Sequence, residues 1–107
     1  MEKIALTYRL KPGKKDVYLK AHNNIWPEML ESLKKSGVYR MEIFLRNNRL
    51  FLFAEVESRE RFNKVASTDP VYIKWNRQWE GVLESPFDKE ESGPFAEMEQ
   101  VFHFSSK

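Results

Sequence analysis

Tyr18, His22 and Trp26 follow one another at intervals of four residues. On a helix the first two share one face, with about 5–6 Å between their Cβ atoms. An imidazole takes up and releases a proton near neutral pH, and a phenol beside it can donate a hydrogen bond or a proton. Spacing alone admits two readings. One is an acid–base pair against an aromatic wall. The other is a core stripe in which a single buried histidine is satisfied by a hydrogen bond. Several other chemistries have no carrier. With no cysteine, there is no disulfide, thiolate ligand or cysteine nucleophile. Only His22 and His103 could offer an imidazole, without HxxxH or HExxH spacing, so no metal site is expected.

Composition narrows the class further. At 107 residues, 41% of them hydrophobic and 32% charged, the chain reads as one globular domain over residues 1–107. Lys+Arg 18 against Asp+Glu 16 leaves a net charge of +2, too balanced to predict a nucleic-acid partner. No apolar run approaches the ~20 residues of a membrane span, and no secretory signal follows Met1. A cytoplasmic protein is expected. The 14% aromatic share is rich enough to furnish a pocket or a subunit interface besides a core.

The elements that must position these residues can be read from periodicity. Residues 3–11 alternate, with Ile4, Leu6, Tyr8 and Leu10 on one face, and Pro12-Gly13 stops the strand. Helices are predicted at 13–23 and 27–36, separated by a bend at Trp26-Pro27, because proline disfavours helical geometry in the residue before it. Gly37 closes the second helix. A hairpin follows, with arms 38–46 and 49–57 around Asn47-Asn48. Ser58 caps a short helix at 59–66, and Asp69-Pro70 opens another that runs through Leu83. Residues 84–96 lack periodicity and read as loop, and 97–104 as a final strand. The order β-α-β-β-α-β predicts an α+β, ferredoxin-like antiparallel sheet with helices on one face. Phe44, Phe51, Phe53 and Val101 would then crowd the other face, and a homodimer that pairs two sheets would cover them.

The stretch Tyr18-Leu19-Lys20-Ala21-His22-Asn23-Asn24-Ile25-Trp26-Pro27-Glu28 strongly resembles the signature of the L-rhamnose mutarotase family, a tyrosine four residues before His-Asn-x-Ile-Trp-Pro-Glu. The resemblance continues through Leu52-Phe53-Ala54-Glu55-Val56-Glu57, Val65-Ala66-Ser67-Thr68-Asp69 and Glu99-Gln100-Val101-Phe102-His103, nearly the whole chain in order. It implies a dimeric ferredoxin-like domain that interconverts the anomers of a deoxy sugar, with L-rhamnose the expected substrate, without a cofactor. His22 then matches the catalytic histidine and Tyr18 the substrate-binding tyrosine. Trp75 matches one of the family's tandem tryptophans, Lys74 replaces the other, and Trp79 one turn later could restore the aromatic surface. The family's strand-borne, sugar-binding tyrosine falls on Met41, which cannot donate a hydrogen bond; Tyr39, two residues earlier, is the substitute to consider. Trp26 would add to the aromatic wall, and Asn23 could bind a sugar hydroxyl or satisfy free backbone at the helix break. Two other functions fit the fold: a cofactor-free monooxygenase and a non-catalytic sugar-binding module.

Overall fold

The structure, a computed structural model, describes residues 1–106. Strand β1 (Glu2–Arg9) is followed by helices α1 (Lys15–Asn23) and α2 (Pro27–Lys35), then by strands β2 (Val38–Arg46) and β3 (Arg49–Val56). Helices α3 (Arg59–Thr68) and α4 (Pro70–Arg77) and the short strand β4 (Ala96–Glu97) complete the order. The four strands form one antiparallel sheet in the order β2-β3-β1-β4. Among the described residues, no helix is long and apolar enough to cross a membrane.

Sheet register follows the alternation in the sequence. Ile4 pairs with Ala54, Leu6 with Leu52 and Tyr8 with Leu50, and Ile43 faces Leu52 from the other side. This inward face packs on the helices: Tyr8, Leu10 and Leu50 join Tyr18, Met29, Tyr72, Trp75 and Trp79 in the main core. Trp26, extended at ψ 135, starts α2, with Pro27 at its first turn, where a missing N–H costs no helical bond. Gly37 ends α2 at φ 81, and a Cβ there would stand 3.2 Å from Cβ of Glu57, so both conformation and space call for glycine.

Ser58 caps α3 by accepting a hydrogen bond from the Arg61 amide, and the helix runs two residues past the expected end, to Thr68. Asp69 closes α3 and opens α4. Its carboxylate accepts a hydrogen bond from the Ser32 hydroxyl and lies 3.5 Å from Lys35 Nζ, which ties α4 to α2.

Two further expected boundaries move. Helix α4 stops at Arg77 rather than Leu83: beyond it the amides of Trp79, Glu80 and Val82 bond carbonyls three residues back, and Gly81 at φ 79 turns the chain to bring Leu83 into a bridge with Leu10. The last strand shrinks to two residues paired with Leu6 and Thr7, extended by a bond from the Met98 amide to the Ala5 carbonyl. Beyond it Val101, Phe102 and Phe104 are exposed rather than part of the sheet. The 84–96 segment packs against both faces of the sheet. Phe87 is buried on the outward sheet face with Arg9 4.6 Å and Arg49 5.0 Å from its ring centroid. Phe95 packs edge-on against Tyr8 on the opposite side, 4.9 Å between centroids.

Candidate active site

A cavity of about 230 Å³ lies between the inward sheet face and the helices. Helix α1 places Tyr18 and His22 on its wall, one turn apart, and α4 with the turn after it contributes Trp75, Asn76 and Trp79. Tyr8, Met41 and Ile43 rise from the sheet, and Phe95 closes one side. The far wall, including Leu33, Phe62 and Ala66, is apolar.

His22 sits inside a box of rings. Its centroid is 4.3 Å from Tyr18 and 5.2 Å from Trp75, which meets it edge-on; Trp79 stacks nearly parallel at 5.5 Å and 14°. Nδ1 lies 2.9 Å from the Tyr18 carbonyl oxygen. A carbonyl can only accept, so Nδ1 carries the proton, and in the neutral ring Nε2 is left as the lone-pair nitrogen. Burial pushes the His22 pKa below its ordinary 6.5, and the bond to the Tyr18 carbonyl partly offsets this. At neutral pH the ring is therefore an unprotonated base with its tautomer fixed.

Tyr18, 3% exposed, shares a 2.7 Å hydrogen bond between its hydroxyl and that of Tyr8. Burial pushes the pKa of both phenols up, Tyr8 to about 12, and the neighbouring phenol adds to the rise at Tyr18. Both remain neutral hydroxyls at physiological pH, hydrogen-bond donors rather than anions.

Of the residues singled out in the sequence, His22, Tyr18 and Trp75 meet in this cavity. Trp26 stands behind it, edge-on to Trp75 at 5.1 Å, with Lys74 Nζ 5.6 Å above its ring. Asn23 is exposed at the end of α1, and the side chain that satisfies backbone at this break is Asn24, bonded to the Lys20 carbonyl at 3.1 Å. Tyr39 does not reach the cavity and is 65% exposed. A β-bulge between Val38 and Arg40 is the cause: Val38 pairs with Val56 and Arg40 with Glu55, so Tyr39 is the extra residue and leaves the alternation that Met41 and Ile43 follow. Sequence reasoning passed over Tyr8, whose one signal was a polar-tipped aromatic in the otherwise aliphatic stripe of β1. Trp79 proves to be the ring that stacks on His22.

Comparison with known proteins gives the family and the fold. A family model described as L-rhamnose mutarotase matches residues 3–104. The L-rhamnose mutarotase of Oceanobacillus iheyensis is 38% identical over 94 residues, covering 86% of this chain and 88% of that protein. The crystal structure of an L-rhamnose mutarotase from Formosa agariphila aligns with a TM-score of 0.78 at 25% identity, over 98% of this chain and 100% of that one. A dimeric ferredoxin-like protein from an uncultured marine organism shares the fold at a TM-score of 0.61 and 16% identity, over 97% and 99% of the two chains. With the match running almost from end to end, the chain belongs to the L-rhamnose mutarotase family.

Proposed function

We propose that the protein is a mutarotase that interconverts the α and β anomers of L-rhamnose, with His22 as proton shuttle. The observation that carries this is His22 on the cavity wall between Trp75 and Trp79, its Nδ1–H bonded to the Tyr18 carbonyl so that Nε2 keeps the lone pair. Nε2 removes the proton of the anomeric hydroxyl. The bond between C1 and the ring oxygen breaks, its electron pair goes to the ring oxygen, and C1 becomes an aldehyde. The hydroxyl oxygen and the ring oxygen are bonded to the same carbon, so one imidazole can take the proton from the first and give it to the second. Rotation about C1–C2 and reversal of these steps complete the exchange with no net bond change. Tyr18, held neutral, donates a hydrogen bond to the ring oxygen as charge develops there. The indole faces of Trp75 and Trp79 offer the apolar side of a sugar ring a flat surface. Asn23 and Tyr39 have no part in this reading, and Trp26 supports Trp75 from behind.

The decisive experiment is NMR measurement of anomer exchange across a panel of deoxy and neutral hexoses. His22→Ala should stay folded and lose at least ~10²-fold in rate, the low end for acid–base catalysis. A folded His22→Ala protein with near-normal exchange would refute the assignment. The monooxygenase and non-catalytic readings lose ground, because the family match spans residues 3–104 and His22, with its tautomer set by the Tyr18 carbonyl, lines the cavity.

The reading includes a cytoplasmic homodimer. Phe44 is 60% exposed and Val101, Phe102 and Phe104 are 75% exposed or more, while Phe51 and Phe53 are only half-buried on the outward sheet. A second copy packed sheet to sheet would bury the same patch on both subunits.

A further inference from the structure

Tyr8 enters the cavity from β1, 2% exposed, and its ring is held edge-on by Phe95. Its hydroxyl and that of Tyr18, 2.7 Å apart, carry two protons between them. Their mutual bond uses one. The hydroxyl that accepts keeps its own proton for a third group, so the direction of this bond decides what the cavity presents. Of the two phenols it is Tyr18 that packs against His22, while Tyr8 is held on the strand side by Phe95, so a sugar placed at His22 calls on the Tyr18 proton and leaves Tyr8 to donate. When Tyr8 donates, the proton of Tyr18 is left free beside His22, whose ring lies 4.3 Å from that of Tyr18. A hydroxyl that accepts a hydrogen bond is also polarised to donate more strongly.

We propose that Tyr8 is a positioning residue, which donates to Tyr18 and thereby turns Tyr18's own proton, strengthened, toward the ring oxygen of the bound sugar. The inference rests on the mutarotase reading above. It also accounts for Met41. Met41 on β2 and Tyr8 on β1 line the same cavity from the same sheet, with β3 between them. The sheet that lacks a phenol at position 41 carries one at position 8, and that phenol reaches the sugar through Tyr18 rather than by touching it.

The test compares wild type, Tyr8→Phe, Tyr18→Phe and the double variant in NMR anomer exchange with L-rhamnose, with thermal unfolding as the check on the fold. Tyr8→Phe should lower kcat about 3–10-fold, the range of one neutral hydrogen bond, and leave KM within about twofold. The double variant should be no slower than Tyr18→Phe alone, since Tyr8 acts only through that hydroxyl. An unchanged kcat in Tyr8→Phe, a loss confined to KM, or losses that multiply in the double variant would each overturn the proposal. If Tyr8→Phe does not fold, Tyr8→3-fluorotyrosine serves in its place. It keeps the shape and the hydroxyl but donates more strongly, so kcat should rise, and a kcat at or below wild type overturns the proposal. A wild-type protein that leaves anomer exchange unaccelerated overturns the mutarotase reading itself. An active wild type with Tyr8→Phe at full rate overturns only the role of Tyr8.

Discussion

Trp79→Leu is the substitution that most directly probes how the cavity tunes His22. Trp79 is 6% exposed, stacks on His22 at 5.5 Å, and touches Tyr18 and Trp75 at centroid distances of 4.8 and 5.6 Å. Truncating a buried tryptophan to alanine costs about 3–5 kcal/mol; leucine refills part of the volume, so about 2–4 kcal/mol is expected. For a domain of this size that is a fall of about 10–20 °C in Tm. The second effect is on protonation. In the proposed mechanism the working form of His22 is neutral, so the rate should fall about tenfold per pH unit below its pKa. Burial holds that pKa below 6.5. Opening one wall lets water reach the ring, and the acid limb of the rate profile moves up toward 6.5. The variant should therefore lose more activity near pH 6 than near pH 8. Wild-type stability should itself decline as pH falls below 6.5, because the unfolded chain then binds a proton that the native ring resists, and the variant should show less of this decline. Urea unfolding across pH and NMR exchange profiles measure both. A folded variant whose acid limb stays in place, or moves down, would refute the claim that the Trp79 wall depresses His22.

Met41→Tyr should change the relative rates among deoxy hexoses, because position 41 lines the cavity; identical selectivity in the NMR panel would show that the sugar does not contact it. Ser32→Ala should raise the Asp69 pKa, since the Ser32 hydrogen bond is the largest cause of its depression, with Lys35 contributing less. A depressed carboxylate stabilises the fold above its unfolded pKa and loses that contribution as pH falls through the folded value. The variant's stability deficit in urea should thus be present at pH 7 and narrow in acid; a deficit that does not change with pH would contradict the pairing. Sedimentation at micromolar concentration should give about twice the 12.8 kDa chain mass, and Phe44→Asp should shift it toward one chain; a wild-type monomer would overturn the sheet-to-sheet dimer.

Local periodicity carried much of the fold. Alternation in β1 and the hairpin set which face turns inward, and Pro27 and Pro70 marked two helix starts, because each of these signals acts within a few residues. Tyr18 and His22 were legible as a pair for the same reason. Where the reading ran out, contacts between distant elements decided the outcome. The Tyr8–Tyr18 bond joins a strand to a helix, and no spacing rule connects them. The bulge that turns Tyr39 outward is set by pairing with β3, since the sequence of β2 alternates straight through it. Residues 97–104 have a strand's pattern, yet a strand needs an edge to pair with. Only Ala96 and Glu97 form a ladder with β1 before the chain leaves the sheet.

The interruption between α1 and α2 has an electrostatic consequence. Because α1 ends at Asn23, His22 lies in its last turn, where unpaired carbonyls gather partial negative charge. A helix continued through Trp26 and Pro27 would spend those carbonyls on further hydrogen bonds and carry its negative pole a turn or more away. Ended where it is, α1 would offer the imidazolium of the proposed mechanism a fixed counter-potential of about 0.3–1 kcal/mol at a helix end, beside a mostly apolar cavity. Burial keeps the resting ring neutral, and the broken helix supports it while it holds the proton. Two residues outside the cavity lining, Trp26 and Pro27, thus set where the negative pole of α1 falls.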